Sequence, residues 1–290
     1  MPFSPRAKII LEALLHHPEG LTSKEISAIV VKSGDVALDR RRLFKYITSF
    51  REQHGLHIDS YREGTTYRYH LADTQGMPSG FMAQMATNFL ENDFMQTYKD
   101  LGARIQPLRI PRGTEFLRSI GDAMHVNHLL RVTYQKFDDV EPYDCILAPH
   151  ALKAFEGRWY LFAVKWFKFS DVKQQPLGYK GVGLQTFALD RMKLVSVSNR
   201  RFKLLKGFDA EEFFKPYFGV YCPADEQPKK IVVHASENDA HYIRTLPIHH
   251  TQRELEPNVF ELTLVPALDF EIYMRRYLTT TWEVVDAIVL

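Results

Sequence analysis

Cysteine is scarce in this chain: 290 residues include two, Cys145 and Cys222. Two thiols make no disulfide framework, and these two lack the spacing of a metal knuckle. No window approaches the roughly 18 consecutive apolar residues of a membrane-spanning helix. The start, Met1-Pro2-Phe3-Ser4-Pro5-Arg6, has no apolar signal-peptide core. A cytoplasmic protein with incidental thiols and no membrane partner is expected. Catalytic signatures are missing as well. Leu177-Gly178-Tyr179-Lys180-Gly181-Val182-Gly183 lacks the Walker spacing and a following helix. His249-His250 sits near Glu254 and Glu256, but on an expected strand rather than in a helical zinc motif, and no serine has an elbow context. The expectation is a protein that is not an enzyme and needs no cofactor or metal.

What is present is an ordinary globular composition, 45% hydrophobic and 25% charged, over a length that suits two or three domains. The net charge of +2 says little, but its distribution says more. The first 72 residues hold 11 Lys/Arg against 8 Asp/Glu, and Arg40, Arg41, Arg42 and Lys45 fall within six positions. One concentrated basic patch suits a modular nucleic-acid binder.

Residues 1–73 read as a domain. Ala7, Ile10, Leu11, Leu14 and Leu15 recur at helical steps, which predicts a helix from about Ser4 to His16. Thr22 or Ser23 then caps a second helix with Glu25 in its first turn, where a carboxylate meets the positive helix end. A third helix begins between Val36 and Asp39, ends near Gly55 and turns Leu43, Ile47 and Phe50 inward. Two alternating runs, Leu56–Tyr61 and Thr66–Leu71, flank the turn Arg62-Glu63-Gly64-Thr65 and predict a hairpin. Three helices and a hairpin make a winged helix-turn-helix, whose third helix enters the major groove. The segment resembles the winged helices of DeoR-like bacterial regulators, with Lys45-Tyr46-Ile47 where many of those have Arg-Asp-Ile. Arg40, Arg41, Arg42, Lys45, Tyr46 and Arg68 are the candidate DNA contacts. One or two of the arginines would grip guanine, and the others, with Lys45 and Arg68, would hold phosphates. A charge run can also be a merely solvated helix face, and that alternative stands beside this one.

Residues 74–127 open on the turn-rich Asp73–Gly80 and read as a helical connector. Phe81, Met82, Met85, Phe89, Leu90 and Phe94 form one apolar face, and Phe116, Leu117, Ile120 and Met124 continue it after Pro107-Leu108-Arg109-Ile110-Pro111. Core or dimer packing accounts for such a face better than a cofactor box.

Residues 128–200 are β-rich: Leu129–Tyr134, Tyr143–Leu147, Arg158–Val164 and Leu184–Val197. Alternation sets Trp159, Leu161 and Ala163 on one face of the third run, and Arg158, Tyr160 and Phe162 on the other. Short strands without intervening helices imply a small bent sheet or barrel. Pro149-His150-Ala151-Leu152, then Gly157-Arg158-Trp159-Tyr160-Leu161-Phe162-Ala163, then Phe187-Ala188-Leu189-Asp190-Arg191-Met192 resemble the WYL domain of bacterial transcription factors. The resemblance implies an Sm-like small β-barrel that senses a nucleotide or short nucleic acid. It further implies a homodimer with an N-terminal winged helix and a C-terminal extension. Tyr134, His150, Tyr160 and Arg191 match the positions lining the family's pocket, and Arg158 is a candidate beside them. Arg and His among aromatics suit an anion with flat faces. Against this, His150 alone is more often structural, and Arg191 has Asp190 beside it as a partner.

Residues 201–290 hold a short helix, Phe208–Gly219, and after Gln227-Pro228-Lys229 the order βαββαβ, which suggests a ferredoxin-like module. It matches the C-terminal extension of WYL proteins, where Arg275, Arg276 or His249 would reach the partner's pocket or else lie solvated. The expected whole is a multidomain α+β chain in which a pocket controls a DNA-binding head. Its function would be that of a homodimeric repressor on an inverted-repeat operator in double-stranded DNA. The alternative is an RNA- or single-strand-binding effector without promoter recognition. The resemblance extends to regulators of anti-phage defence operons such as BREX and CBASS, and to DNA-damage regulators.

Overall fold

The computed structural model describes residues 3–75, 77, 79–101, 104–105, 113–166, 183–276 and 280–287. The Pro107–Pro111 segment, Leu177–Val182 and Tyr277 lie outside them. The chain divides into two compact units, Met1–Leu108 and Arg109–Leu290.

In the first unit, α1 (Pro5–His16) starts after Ser4, whose hydroxyl accepts from the Ala7 amide, and it buries Ala7, Ile10, Leu11 and Leu14. A two-residue strand, β1 (Leu21–Thr22), follows. Helix α2 (Ser23–Lys32) begins with a capping box. The Thr22 hydroxyl accepts from the Glu25 amide at 3.2 Å, and the Glu25 carboxylate accepts from the Thr22 amide at 2.7 Å. Helix α3 (Arg40–His54) is capped by Asp39 and closed by Gly55 in the left-handed region. Strands β2 (Ile58–Glu63) and β3 (Thr66–Leu71) pair antiparallel around Gly64-Thr65, giving a sheet of order β1-β3-β2. The hairpin was legible in the sequence; β1 was not, since two residues carry no alternation. Helix α4 (Phe81–Thr97) closes this core with Met82 and Ala86. Phe81 and Phe94, expected on the packed face, are 41% and 48% exposed.

The second unit starts with α5 (Leu117–His125), which packs beside an antiparallel sheet of order β7-β6-β5-β4-β8. Its strands are β4 (His128–Tyr134), β5 (Tyr143–Phe155), β6 (Arg158–Trp166), β7 (Leu184–Ala188) and β8 (Met192–Arg201). Pro149–Leu152, ahead of the Arg158–Val164 run, lies inside β5. A bulge between Pro149 and Ala151 bends that long strand, whose residues 143–147 pair β4 and whose residues 146–155 pair β6. The expected strand Leu184–Val197 is broken by a 3-10 turn, Leu189–Arg191. The expected connector 74–127 is thus divided: α4 belongs to the first unit and α5 to the second.

Alternation along β6 is as read from the sequence. Leu161 and Ala163 join Leu130, Val132, Leu147 and Phe187 on one face. Phe162 and Ala151 lie on the other, under Phe213 and Phe214 of α6 (Ala210–Phe214). The remainder runs β9 (Lys229–His234), α7 (Glu237–Thr245), β10 (Arg253–Glu256), β11 (Val259–Leu264), α8 (Leu268–Met274) and β12 (Thr281–Ala287). These strands pair antiparallel in the order β10-β11-β9-β12 around Ile231, Val233, Phe260, Leu262 and Phe270. His249 is in the turn before β10 rather than on a strand, and it is buried. Its Nε2–H donates to the Lys215 carbonyl at 3.0 Å, so neither a solvated nor a partner-reaching role fits it. Arg275 lies by Glu271 of its own helix, at 3.8 Å, and is largely exposed.

Gly113 and His249 each make a prediction. At Gly113 (φ +64°) a Cβ would stand 2.3 Å from the Leu189 backbone carbon and 2.6 Å from the Asp190 amide. Gly113→Ala should cost the second unit about 3 kcal/mol or more, overpacking adding to left-handed strain. Gly64→Ala, at φ +59° in open space, should cost the first unit about 1 kcal/mol. Chemical denaturation of the two variants checks the contrast, and equal costs would contradict it. Burial, with the neighbouring His250, lowers the His249 pKa from 6.5 to about 4. Unfolded chain therefore binds more protons than folded between those values, and stability falls as pH drops from about 6.5 to about 4. H249Q, which keeps a donor for Lys215, should flatten part of that slope in denaturation midpoints between pH 7 and 4.5. An unchanged slope would assign the acid sensitivity to other groups.

Candidate ligand site and nucleic-acid face

Of the polar residues singled out in the second unit, Tyr134, Arg158 and Arg191 are at strand ends or turns, while His150 and Tyr160 lie within β5 and β6. Tyr134 closes β4 and is buried, with its ring edge-on to Phe187 at 5.2 Å. Its hydroxyl accepts from the Ala188 amide at 3.2 Å. Burial raises the Tyr134 pKa, partly opposed by Arg191 close by, so the phenol stays protonated and can donate. Arg158 opens β6 just after Glu156 and Gly157, whose φ values of 46° and 77° form a two-residue turn that matches the twist of a hairpin. That turn is held from outside by Arg276, 2.7 Å from the Glu156 carboxylate.

Arg158 reaches Asp190 at 3.7 Å, so the carboxylate expected beside Arg191 is paired with Arg158 instead. Arg191 is on the 3-10 turn, not on a strand. Its guanidinium lies 3.3 Å from the centroid of the Phe137 ring, a cation–π stack at the tip of the β4–β5 hairpin. Two buried atoms here have no hydrogen-bond partner among the described residues, Arg191 Nε and Asp190 Oδ1. A buried donor or acceptor left unmade costs about 1–3 kcal/mol. Tyr160 joins the group electrostatically, its pKa raised first by burial, with Arg158, Asp190 and Arg191 around it.

His150 is not brought into this group. It is buried at the β5 bulge, where Nδ1–H donates to the Ala148 carbonyl at 2.8 Å and Nε2 accepts from the Leu205 amide at 3.3 Å. Phe202 and Phe208 pack on its ring. Both nitrogens are used by the fold, and burial lowers its pKa, so it stays neutral. Phe137 and Asp190 are the residues that sequence reasoning missed as site members. Only an aromatic in a polar hairpin tip, Lys136-Phe137-Asp138-Asp139, gave a signal for the first.

In the first unit the six candidate contacts separate. Arg40, Arg41, Arg42 and Lys45 are exposed at the start of α3. Arg40 leans over the Tyr67 ring of β3 at 5.4 Å, and Arg42 is 3.8 Å from Asp39. Arg41 and Lys45 have no ion pair among the described residues. An open groove of about 670 Å³ beside them is lined by Ser23, Lys24, Ser27, Val31, Lys32 and Arg40. Tyr46 is half-buried against the core and beside Arg6, which Asp35 holds through two of its nitrogens. Arg68 is bound by Glu63 and Glu25 and donates to the Gly20 carbonyl at 2.9 Å. Tyr46 and Arg68 therefore brace the fold instead of presenting a free donor.

Among the described residues no group of His, Cys, Asp and Glu suits a metal, and no helix is long and apolar enough to cross a membrane. No curated protein matches the chain. Among solved structures the chain is similar to proteasome accessory factor B/C (PafBC) of Arthrobacter aurescens, at 19% identity and a TM-score of 0.34. That match covers 89% of this chain and 40% of the other, so the chain spans under half of that protein's length. It is also similar to a CRISPR Cas-related protein, at 12% identity and a TM-score of 0.36, over 96% of this chain and 86% of that one. Likenesses so distant carry no function across. The match to a family is local and specific: it covers residues 115–197, so it takes in α5 as well as the five strands and the Leu189–Arg191 turn. Residues 115–197 of this chain are a WYL domain.

Proposed function

We propose that the chain is a DNA-binding transcriptional regulator, a homodimeric repressor whose WYL domain takes a nucleotide or short nucleic acid and thereby alters duplex binding. The observation that carries this reading is the presence in one chain of a WYL domain and of an uncommitted cationic helix face, Arg41 and Lys45 on α3. The first unit is read as a winged helix-turn-helix, with α3 in the major groove of each half-site and the β2–β3 hairpin along the backbone. In the WYL domain Arg158 and Arg191 supply cationic donors and Asp190 an acceptor, so the site suits a ligand carrying both an anionic group and a hydrogen-bonding edge. Control is linkage: a ligand that binds one arrangement of the dimer better shifts the spacing of the two heads.

The alternative, an RNA- or single-strand-binding effector, draws on the Phe137 ring stacked on Arg191 and otherwise 76% exposed, which is a platform for an unpaired base. Two measurements separate the readings. Arg41→Ala and Lys45→Ala should each weaken binding to duplex DNA from upstream of the coding sequence. Each should also reduce the slope of log affinity against log salt by about 0.9, one phosphate contact. Duplex binding that survives both changes would sink the regulator reading. Arg191→Ala should leave duplex affinity unchanged while abolishing its response to added short single-stranded oligonucleotides. Loss of duplex binding in a folded Arg191→Ala chain would count against a separable sensor.

A further inference from the structure

Helix α3 carries one residue that does not belong on a solvated basic surface. Phe44 is 64% exposed, while Leu43, Ile47 and Phe50 on the other side are in the core. Helical spacing places Arg40 and Arg41 one turn before it and Thr48 one turn after it on the same face. Lys45 is its exposed neighbour. Arg40 is drawn toward Tyr67 and Arg42 toward Asp39, and Phe44 is flanked by Arg41 and Lys45, neither of which has an ion pair among the described residues.

The surface that covers this ring must therefore be anionic around its edge and apolar at its centre. A second copy of this chain, packed on the same face, meets only the second demand. Packed symmetrically on itself, the face would set Arg41 and Lys45 against their own copies, and like charges oppose that contact. The major groove meets both, because phosphates line its rims and thymine 5-methyl groups stand on its floor. Phe44 is also in the first half of α3, the part of a recognition helix that reaches base edges.

We propose that Phe44 is a specificity-determining residue that packs on the 5-methyl group of a thymine in each half-site, with Arg41 and Lys45 on the flanking phosphates. This rests on the duplex-binding reading above. It names what that reading leaves open, a base contact made by shape and apolar surface and not by an arginine fork.

The test uses the full chain and duplex DNA from upstream of its coding sequence, prepared once with thymine and once with deoxyuridine throughout. The wild-type protein should bind the thymine duplex more tightly, by about fourfold for each methyl covered, the worth of one buried methyl group. Phe44→Ala, a change at an exposed helical site, should bind both duplexes equally, while Phe44→Leu, which keeps an apolar contact, should retain a methyl preference. If Phe44→Ala binds no duplex at all, the Phe44→Leu preference decides. Equal wild-type binding to the two duplexes would overturn the proposal and leave the duplex-binding reading intact. No binding to either duplex would remove that reading itself, and the proposal with it. A Phe44→Ala chain that keeps the full methyl preference, with or without a lower oligomeric state in light scattering, would also overturn it. A lowered state would assign the face to a contact between copies.

Discussion

Strands β5 and β6 are apolar on both faces, and both faces have to be covered. Leu161 and Ala163 are sealed by α5 and the neighbouring strands, while Phe162 and Ala151 are sealed by Phe213 and Phe214. Each large side chain so buried contributes about 1.5–3 kcal/mol, which makes the double cover the main source of this domain's stability. It also leaves little room for charge on these two faces, where Lys153 of β5 enters with its Nζ donating to the Gly219 carbonyl. Arg158, Asp190 and Arg191 are consequently found at turns, where a strand ends and its backbone changes direction. The close approach of Gly113 to Leu189 and Asp190 fixes one of those turns. The two unpartnered polar atoms are therefore held in place by packing, not by bonds to each other.

Helix α3 obeys the same rule in smaller form. Its inner face is Leu43, Ile47 and Phe50, and its caps, Asp39 and Gly55, fix where it begins and ends. On its outer face Arg40 and Arg42 are drawn to Tyr67 and Asp39, while Arg41, Phe44 and Lys45 are exposed. There the ion pairs sort residues that look alike in the sequence: Arg68 is consumed by two carboxylates and a carbonyl, whereas Arg41 is not.

Periodicity made α1, α2, α3, the hairpin and the two faces of β6 legible from the sequence, because each rests on neighbours three, four or two residues apart. The order of elements after residue 228 was legible for the same reason. What could not be read is what depends on distant partners. His150 looked like a pocket residue beside a motif proline, but the Leu205 amide 55 positions away takes its second nitrogen. The break at Leu189–Arg191 follows from a glycine 76 residues earlier, and local alternation runs straight through it. Arg158, not Arg191, holds Asp190, because a hairpin turn brings it there. Phe44 was passed over because it falls outside the buried face of α3, Leu43, Ile47 and Phe50.

Under the proposed regulation, a ligand at the WYL domain is coupled to a duplex at α3 within one chain. Reciprocity tests it most directly. The affinity of the unaltered protein for upstream duplex should be measured with and without saturating short single-stranded DNA, and the affinity for the single strand with and without duplex. Coupling requires both ratios to depart from one by the same factor, within the usual range of about 5 to 150. Ratios of one in both directions, with each ligand still binding, would contradict the account.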